Sequence, residues 1–192
     1  MFLFNFIKTQ LQIRLFCARL IVMIFLLFSN LAGSSTQEYD VKAVFLFHFI
    51  DFVNWPEGKS NQEDRNICIY GSDPFDSRLR VLADADLQQK TVHVLSEISL
   101  ASSSKCHTLY VGQSKRKQLD EIIDYLADSP ILTVSDIGGF ASRRGMIGFT
   151  VKSGKVKLEV NLNSVKASGI KLSSNLIEIA TVVENRFNSG LK

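Results

Sequence analysis

Catalytic signatures are what this sequence most conspicuously lacks. Its 192 residues contain no HExxH pair and no paired CxxC motifs, so two common zinc frameworks are absent. There is no GxSxG elbow, since Gly112-Gln113-Ser114 runs on into Lys115 and Arg116. The three histidines, His48, His93 and His107, are scattered along the chain with no metal-ligand spacing. Cysteine is scarce (Cys17, Cys68, Cys106), tryptophan is single (Trp55), and neither an internal repeat nor a low-complexity tract is present.

Long apolar runs are also short here. The longest is Leu20 to Phe28, LIVMIFLLF, nine residues. As a helix it rises about 14 Å, under half of a hydrocarbon core of roughly 30 Å, so alone it is short for a permanent span. Lys8, Arg14 and Arg19 precede it and the small, polar stretch SNLAGSS follows. That order describes a secretory signal peptide, with Ala32 and Ser34 as the small residues before a cut. An uncleaved anchor drawing on the apolar residues before Arg19 is the alternative. Cys17 lies before the run, whereas a lipoprotein cut needs a cysteine after it. The expected division is a leader over residues 1–34 and one domain over residues 35–192, long enough to bury a substantial core.

Removing residues 1–34 takes the 22 basic residues to 19, against 19 acidic ones. The sequence pI near 8.8 therefore comes from the leader. The mature chain has no broad basic field, and nucleic acid is excluded as a partner. Cys17 departs as well, leaving Cys68 and Cys106 as an even pair in an oxidising compartment, which predicts a disulfide. Closing that loop stabilises the fold by about 4 kcal/mol in the chain-entropy model. Two free buried thiols are the alternative.

Residues 39–54, YDVKAVFLFHFIDFVN, read as a helix whose apolar face carries Val41, Val44, Phe45, Phe47, Phe49, Phe52 and Val53. Pro56 forces Trp55 toward extended backbone and stops it near Asn54. Strand patterns at 67–71, 92–95, 108–112 and 131–135 then alternate with helical ones, the first opening at Asp73-Pro74-Phe75 and the second spanning 114–129 with Ser114 as N-cap. Such alternation predicts an α/β domain of three-layer type, its mixed, mostly parallel sheet flanked by helices. Residues 146–151 and 155–161 have hairpin spacing, so the sheet ends in a C-terminal antiparallel strand pair. In the second of these strands Val156, Leu158, Val160 and Leu162 face the core, and Lys155, Lys157, Glu159 and Asn161 face outward. A short helix, a break at Gly169 and a helix from Ser173 carrying Leu176, Ile179, Ala180 and Val183 follow.

The stretch SDIGGFASRRGMIGF, residues 135–149, is rich in glycine but fits no phosphate loop. Gly145 is followed by Met146 where a Walker loop needs Lys and then Ser or Thr, and the residues after it read as a strand, not the helix a dinucleotide fingerprint requires. It reads as a strand-to-strand connection. Asp136, Arg143 and Arg144 lie near the end of an inner strand, where open α/β sheets take ligands, and the arginines are candidate anion-binding residues. Cys106 and His107 are adjacent, so on a strand they point to opposite faces, and oxidation of Cys106 removes a nucleophile. No enzyme is expected.

Five pieces, in order, carry a resemblance: EYDVKAVFLFHFIDFVNWP, ICIYGSDPF, CHTLYVG, ILTVSDIGGFASRRGMIGF and KVKLEVNLNSVKASGIKLSSNLIEIA. Together they resemble the YfiR family of periplasmic regulators over roughly residues 38 to 181. The resemblance implies a secreted α/β protein that forms a homodimer and represses an inner-membrane diguanylate cyclase by binding its periplasmic sensor region, lowering cyclic di-GMP and biofilm formation. It implies no cofactor, no metal, and association with the membrane only through the partner. Cys68 and Cys106 stand where the family's structural bridge lies; the second bridge of some relatives has no counterpart, so redox control through it is not expected. The partner surface is expected on the final strand and following helix, with Glu159 and Val165 as its residues. A periplasmic small-molecule sensor or binding protein acting on another membrane receptor is the alternative, distinguished by saturable ligand binding without an effect on cyclic di-GMP.

Overall fold

A computed structural model describes residues 33–59, 64–85 and 91–185. The leader expected over residues 1–34 lies outside these, apart from Gly33 and Ser34. Helix α1, Gly33–Phe52, carries a buried stripe at Ala43, Leu46, Phe47, Phe49 and Ile50. These positions repeat at three- and four-residue intervals, as one helical face does. Val41 and Val44, expected on that face, are exposed; Lys42 takes a place on the buried stripe instead. The helix ends at Phe52, two residues earlier than expected, and gives way to a short strand β1 (Val53–Asn54). β1 pairs antiparallel with β8 (Lys171–Leu172), and the Ser173 amide donates to the Phe52 carbonyl at 2.9 Å.

The main sheet of the described residues has seven strands in the order β3-β2-β4-β5-β6-β7-β9. β2 (Arg65–Tyr70), β3 (Val92–Leu95), β4 (Thr108–Val111), β5 (Leu132–Ser135) and β6 (Ile147–Lys152) run parallel. β7 (Lys155–Val160) returns antiparallel to β6. The two-residue connection between them, Ser153 and Gly154, has φ of 51° and 71°. Positive φ at both central residues is the hairpin geometry that glycine favours. The expected terminal pair is therefore present, and the sheet extends by one strand more: β9 (Ala180–Val182) pairs parallel with β7.

Helices cover both faces. α1, α2 (Arg78–Ala85), α4 (Leu162–Ala167) and α5 (Ser174–Ile179) pack on the side that displays Ile67, Ile69, Tyr110, Leu132, Val134, Ile147, Phe149, Leu158 and Val160. α3 (Leu119–Leu126) packs on the other side against Leu109, Val111 and the cysteines. The expected helix over 114–129 begins as a 3-10 turn, Gln113–Gln118, and becomes α-helical only at Leu119. The helix expected from Asp73 starts at Arg78, because the Asp73 carboxylate accepts from the Phe75 amide at 2.8 Å and holds a turn there. Cys68 and Cys106 form a disulfide, both residues fully buried, with Cα atoms 5.8 Å apart.

Asn161 and Leu162 depart from the alternation expected of the final strand. β7 ends at Val160, and the Asn161 side chain caps α4 by accepting from the Ser164 amide at 3.1 Å. Asn161 is thus buried, and Leu162, one residue into the helix, is partly exposed. α5 is likewise shorter than expected. The β-branched run Thr181-Val182-Val183 suits a strand better than a helix, and Ile179, the last helical residue, is 59% exposed.

Phe149 links α1 to the sheet, its ring 6.0 Å from that of Phe49 and 6.4 Å from that of Phe45. Phe149→Ala is expected to cost about 3–5 kcal/mol in denaturant unfolding with the disulfide intact. A loss below about 1 kcal/mol would contradict this packing.

Candidate functional site

The strand order changes direction at β2, which has β3 on one side and β4 on the other. In open α/β sheets the crevice beyond the carboxyl ends of such strands is where ligands enter. Here the chain fills that crevice itself. Ser114 Oγ accepts from the Ser72 amide at 2.9 Å, tying the connection after β2 to the one after β4, so Ser114 is not a helix cap. Gly112 makes the approach possible: a Cβ there would lie 2.4 Å from the Ser72 carbonyl oxygen. Next to it the Ser96 hydroxyl donates to Asp73 at 2.9 Å.

One strand further, Asp136 leaves the end of β5 and meets α1. Lys42 Nζ donates to Asp136 Oδ2 at 2.8 Å, with the two side chains only 3% and 4% exposed. The Tyr39 hydroxyl donates to the same oxygen at 2.9 Å, and Gln113 Nε2 donates to Oδ1 at 2.9 Å. Lys42 also meets Glu38 one turn back on the helix. Burial alone would raise the Asp136 carboxyl, but the hydrogen bond and charge of Lys42 outweigh it, aided by nearby tyrosine hydroxyls, and the group sits below its ordinary range. Burial, followed by the bond to Asp136, pushes the Tyr39 phenol up. Tyr110, fully buried beside Phe75, is pushed up by burial first and by Asp136 second.

The expected anion site does not assemble. Arg143 turns to α3, with Nη2 2.7 Å from Asp120 Oδ2 and Nε donating to Oδ1 at 3.2 Å. Arg144 pairs with Asp124 at 2.6 Å. Both arginines therefore clamp the loop to α3, while Asp136 clamps α1, and the three do not converge. Glu159 lies on the outward face of β7, 19% exposed and 3.8 Å from Lys152. Val165 is 4% exposed and sits in the core beneath α4, so its side chain is not presented to a partner. Lys42 and Tyr39 were missed by sequence reasoning. The available signal was a lysine at the i−4 position to Leu46 on an otherwise apolar stripe, since a buried charge requires a partner.

At the opposite end of the sheet His107 is fully buried. Its Nδ1 accepts from the Asn66 amide at 3.1 Å, and its Nε2 lies 3.4 Å from the Lys59 carbonyl, which defines a neutral imidazole with the proton on Nε2. Burial lowers its pKa to about 4. Trp55 stacks edge-on against it and donates Nε1–H to its carbonyl at 3.3 Å. His48 and His93 are exposed beside Asp51 and Asp64. Among the described residues no three His, Cys, Asp or Glu side chains group as a metal site requires, and no helix is long and apolar enough to cross a membrane.

Fold and site define a two-sided α/β sheet whose customary ligand crevice is closed by its own connections and by a buried ion pair. The model of the YfiR/HmsC-like family matches residues 39–181, and the chain belongs to that family. Among solved structures it is similar to a conserved domain protein from Vibrio cholerae O1 biovar eltor str. N16961, at 8% identity and a TM-score of 0.50, with 75% of this chain covered. It is also similar, at 10% identity, a TM-score of 0.44 and 62% coverage of this chain, to the ABC domain in complex with L-Trp from Streptococcus pneumonia. The chain spans 59% and 55% of those two chains.

Lys42→Met leaves Asp136 buried without its cation, and a loss of about 3–5 kcal/mol in unfolding free energy is expected. Because the folded Asp136 pKa is lowered, the pair's contribution is complete above an unfolded value of about 4 and is lost as pH falls through the folded value. Acid unfolding of Lys42→Met with Asp136→Asn is therefore expected to be shallower than that of the wild type. A Lys42→Met variant as stable as wild type would contradict the assignment.

Proposed function

We propose that the chain is a periplasmic regulator that binds the periplasmic sensor region of an inner-membrane diguanylate cyclase and represses it, lowering cyclic di-GMP and biofilm formation. The family match over residues 39–181 carries this reading. The buried Cys68–Cys106 bridge supports an oxidising compartment. Residues 1–34 act as the leader and residues 35–192 as the exported domain, which works as a homodimer and reaches the membrane only through its partner. It acts by binding and not by turnover, consistent with a ligand crevice occupied by Ser72, Gly112 and Ser114.

Repression follows from differential affinity. The regulator favours the inactive cyclase only to the extent that it binds that conformation more tightly. A shift from mostly active to mostly inactive, 99:1 to 1:99, requires a preference of about 10⁴-fold. Deleting the gene is expected to raise intracellular cyclic di-GMP, and only a version retaining the leader is expected to restore it. An unchanged level across several growth conditions would overturn the reading.

A further inference from the structure

The buried cluster beneath α3 takes no residue from β6, β7 or β9. Beyond Gly148, which packs against Ala141, this side of β6 and β7 is a cationic strip. In the β6–β7 register Thr150 opposes Lys157 and Lys152 opposes Lys155, and β9 sets Thr181 beside Glu159. Residues paired directly across strands share a face. All three lysines are exposed, and the carboxylate on the strip is Glu159, 3.8 Å from Lys152. The Thr150 hydroxyl is buried and has no hydrogen-bond partner.

Strand pairing does not account for this arrangement. Like charges directly opposite each other, as at Lys152 and Lys155, destabilise a strand pair. Lysines that guard against edge-to-edge aggregation belong on the outermost strand, but β9 (Ala180, Thr181, Val182) is uncharged and the lysines lie on the strands inside it. On the neighbouring strand Thr181 shares the strip with Glu159, while Val182, paired with the buried Val160, stands on the core side of the sheet. An overall neutral domain thus concentrates positive charge on one face of its last strands.

We propose that this face is the docking surface for a protein partner presenting clustered carboxylates, with Lys152, Lys155 and Lys157 supplying the charge complementarity. The proposal rests on the reading that the chain works by binding a periplasmic protein domain. Glu159 stays on the surface; the buried Val165 gives way to the lysines. A bilayer fits the strip less well. Membrane-surface binding uses aromatic or long apolar side chains that insert beneath the cations, whereas Phe149 and Leu158 of these strands point into the core.

The exported protein, disulfide intact, is titrated by NMR with a peptide rich in Glu and Asp, and separately with phosphatidylethanolamine–phosphatidylglycerol vesicles. Peptide-induced shifts are expected on residues 150–159 and 180–182, weakening severalfold between low and physiological salt, with no vesicle binding. Shifts confined to another face, or vesicle binding through the strip, overturn the proposal. In cells, Lys152→Glu with Lys155→Glu and Lys157→Glu is expected to lose repression at least about tenfold, as a charge-reversed interface does, at an unchanged thermal midpoint. If reversal unfolds the protein, the Lys→Gln triple carries the test, with partial loss expected. Full repression by either folded variant overturns the surface and leaves the regulatory reading intact. If gene deletion itself leaves cyclic di-GMP unchanged, the regulatory reading falls, and the peptide titration still decides the surface.

Discussion

The ion pair between Lys42 and Asp136 fixes the position of α1, the longest helix among the described residues. Desolvating two charges costs several kcal/mol each, and hydrocarbon of the same volume would be no less stable in many folds. What the pair adds is placement. Lys42 meets one carboxylate at the end of β5, with Tyr39 and Gln113 satisfying its remaining acceptor sites. A slide of α1 by one turn, about 5.4 Å, would strand both charges in the core. With α1 held there, Phe45 and Phe49 are delivered to Phe149, and Val53 and Asn54 reach β8.

The opposite face is organised by different chemistry. The Cys68–Cys106 bridge joins β2 to the residues that lead into β4 beneath α3, and Arg143 and Arg144 fasten the loop after β5 to Asp120 and Asp124 of that helix. The result is a sheet pinned on both sides over its parallel half. The end formed by β6, β7 and β9 is covered by helices on one side and, among the described residues, carries exposed Lys152, Lys155 and Lys157 on the other. That asymmetry places the proposed docking surface on the side of the sheet away from α1.

Much of the fold was legible in the sequence because the signals were local. Strand patterns such as ICIYG and TLYVG, the Lys152-Ser153-Gly154 hairpin and the surviving cysteine pair each depend on a few neighbouring residues. The misplaced features depend on tertiary contacts. Lys42 reads as a surface residue until Asp136, 94 positions away, is brought to it. Ser114 looks like a helix cap until the Ser72 amide claims its oxygen. Val165 lies on a short helix whose orientation is set by the Asn161 cap and by packing against the sheet, neither visible as periodicity. Ala180 to Val182 carried a strand preference that a helical pattern drawn through Ile179 concealed.

The proposed regulator acts by contact, and its closed crevice, clamped helix and charged face fit that proposal. The most direct test places the purified regulator on the sensor-domain side of proteoliposomes containing the cyclase and measures cyclic di-GMP formed on the other side. The expected result is a saturable fall in cyclase turnover with added regulator, lost when the regulator is supplied to the catalytic side. Unaltered turnover at concentrations that saturate binding would contradict the account.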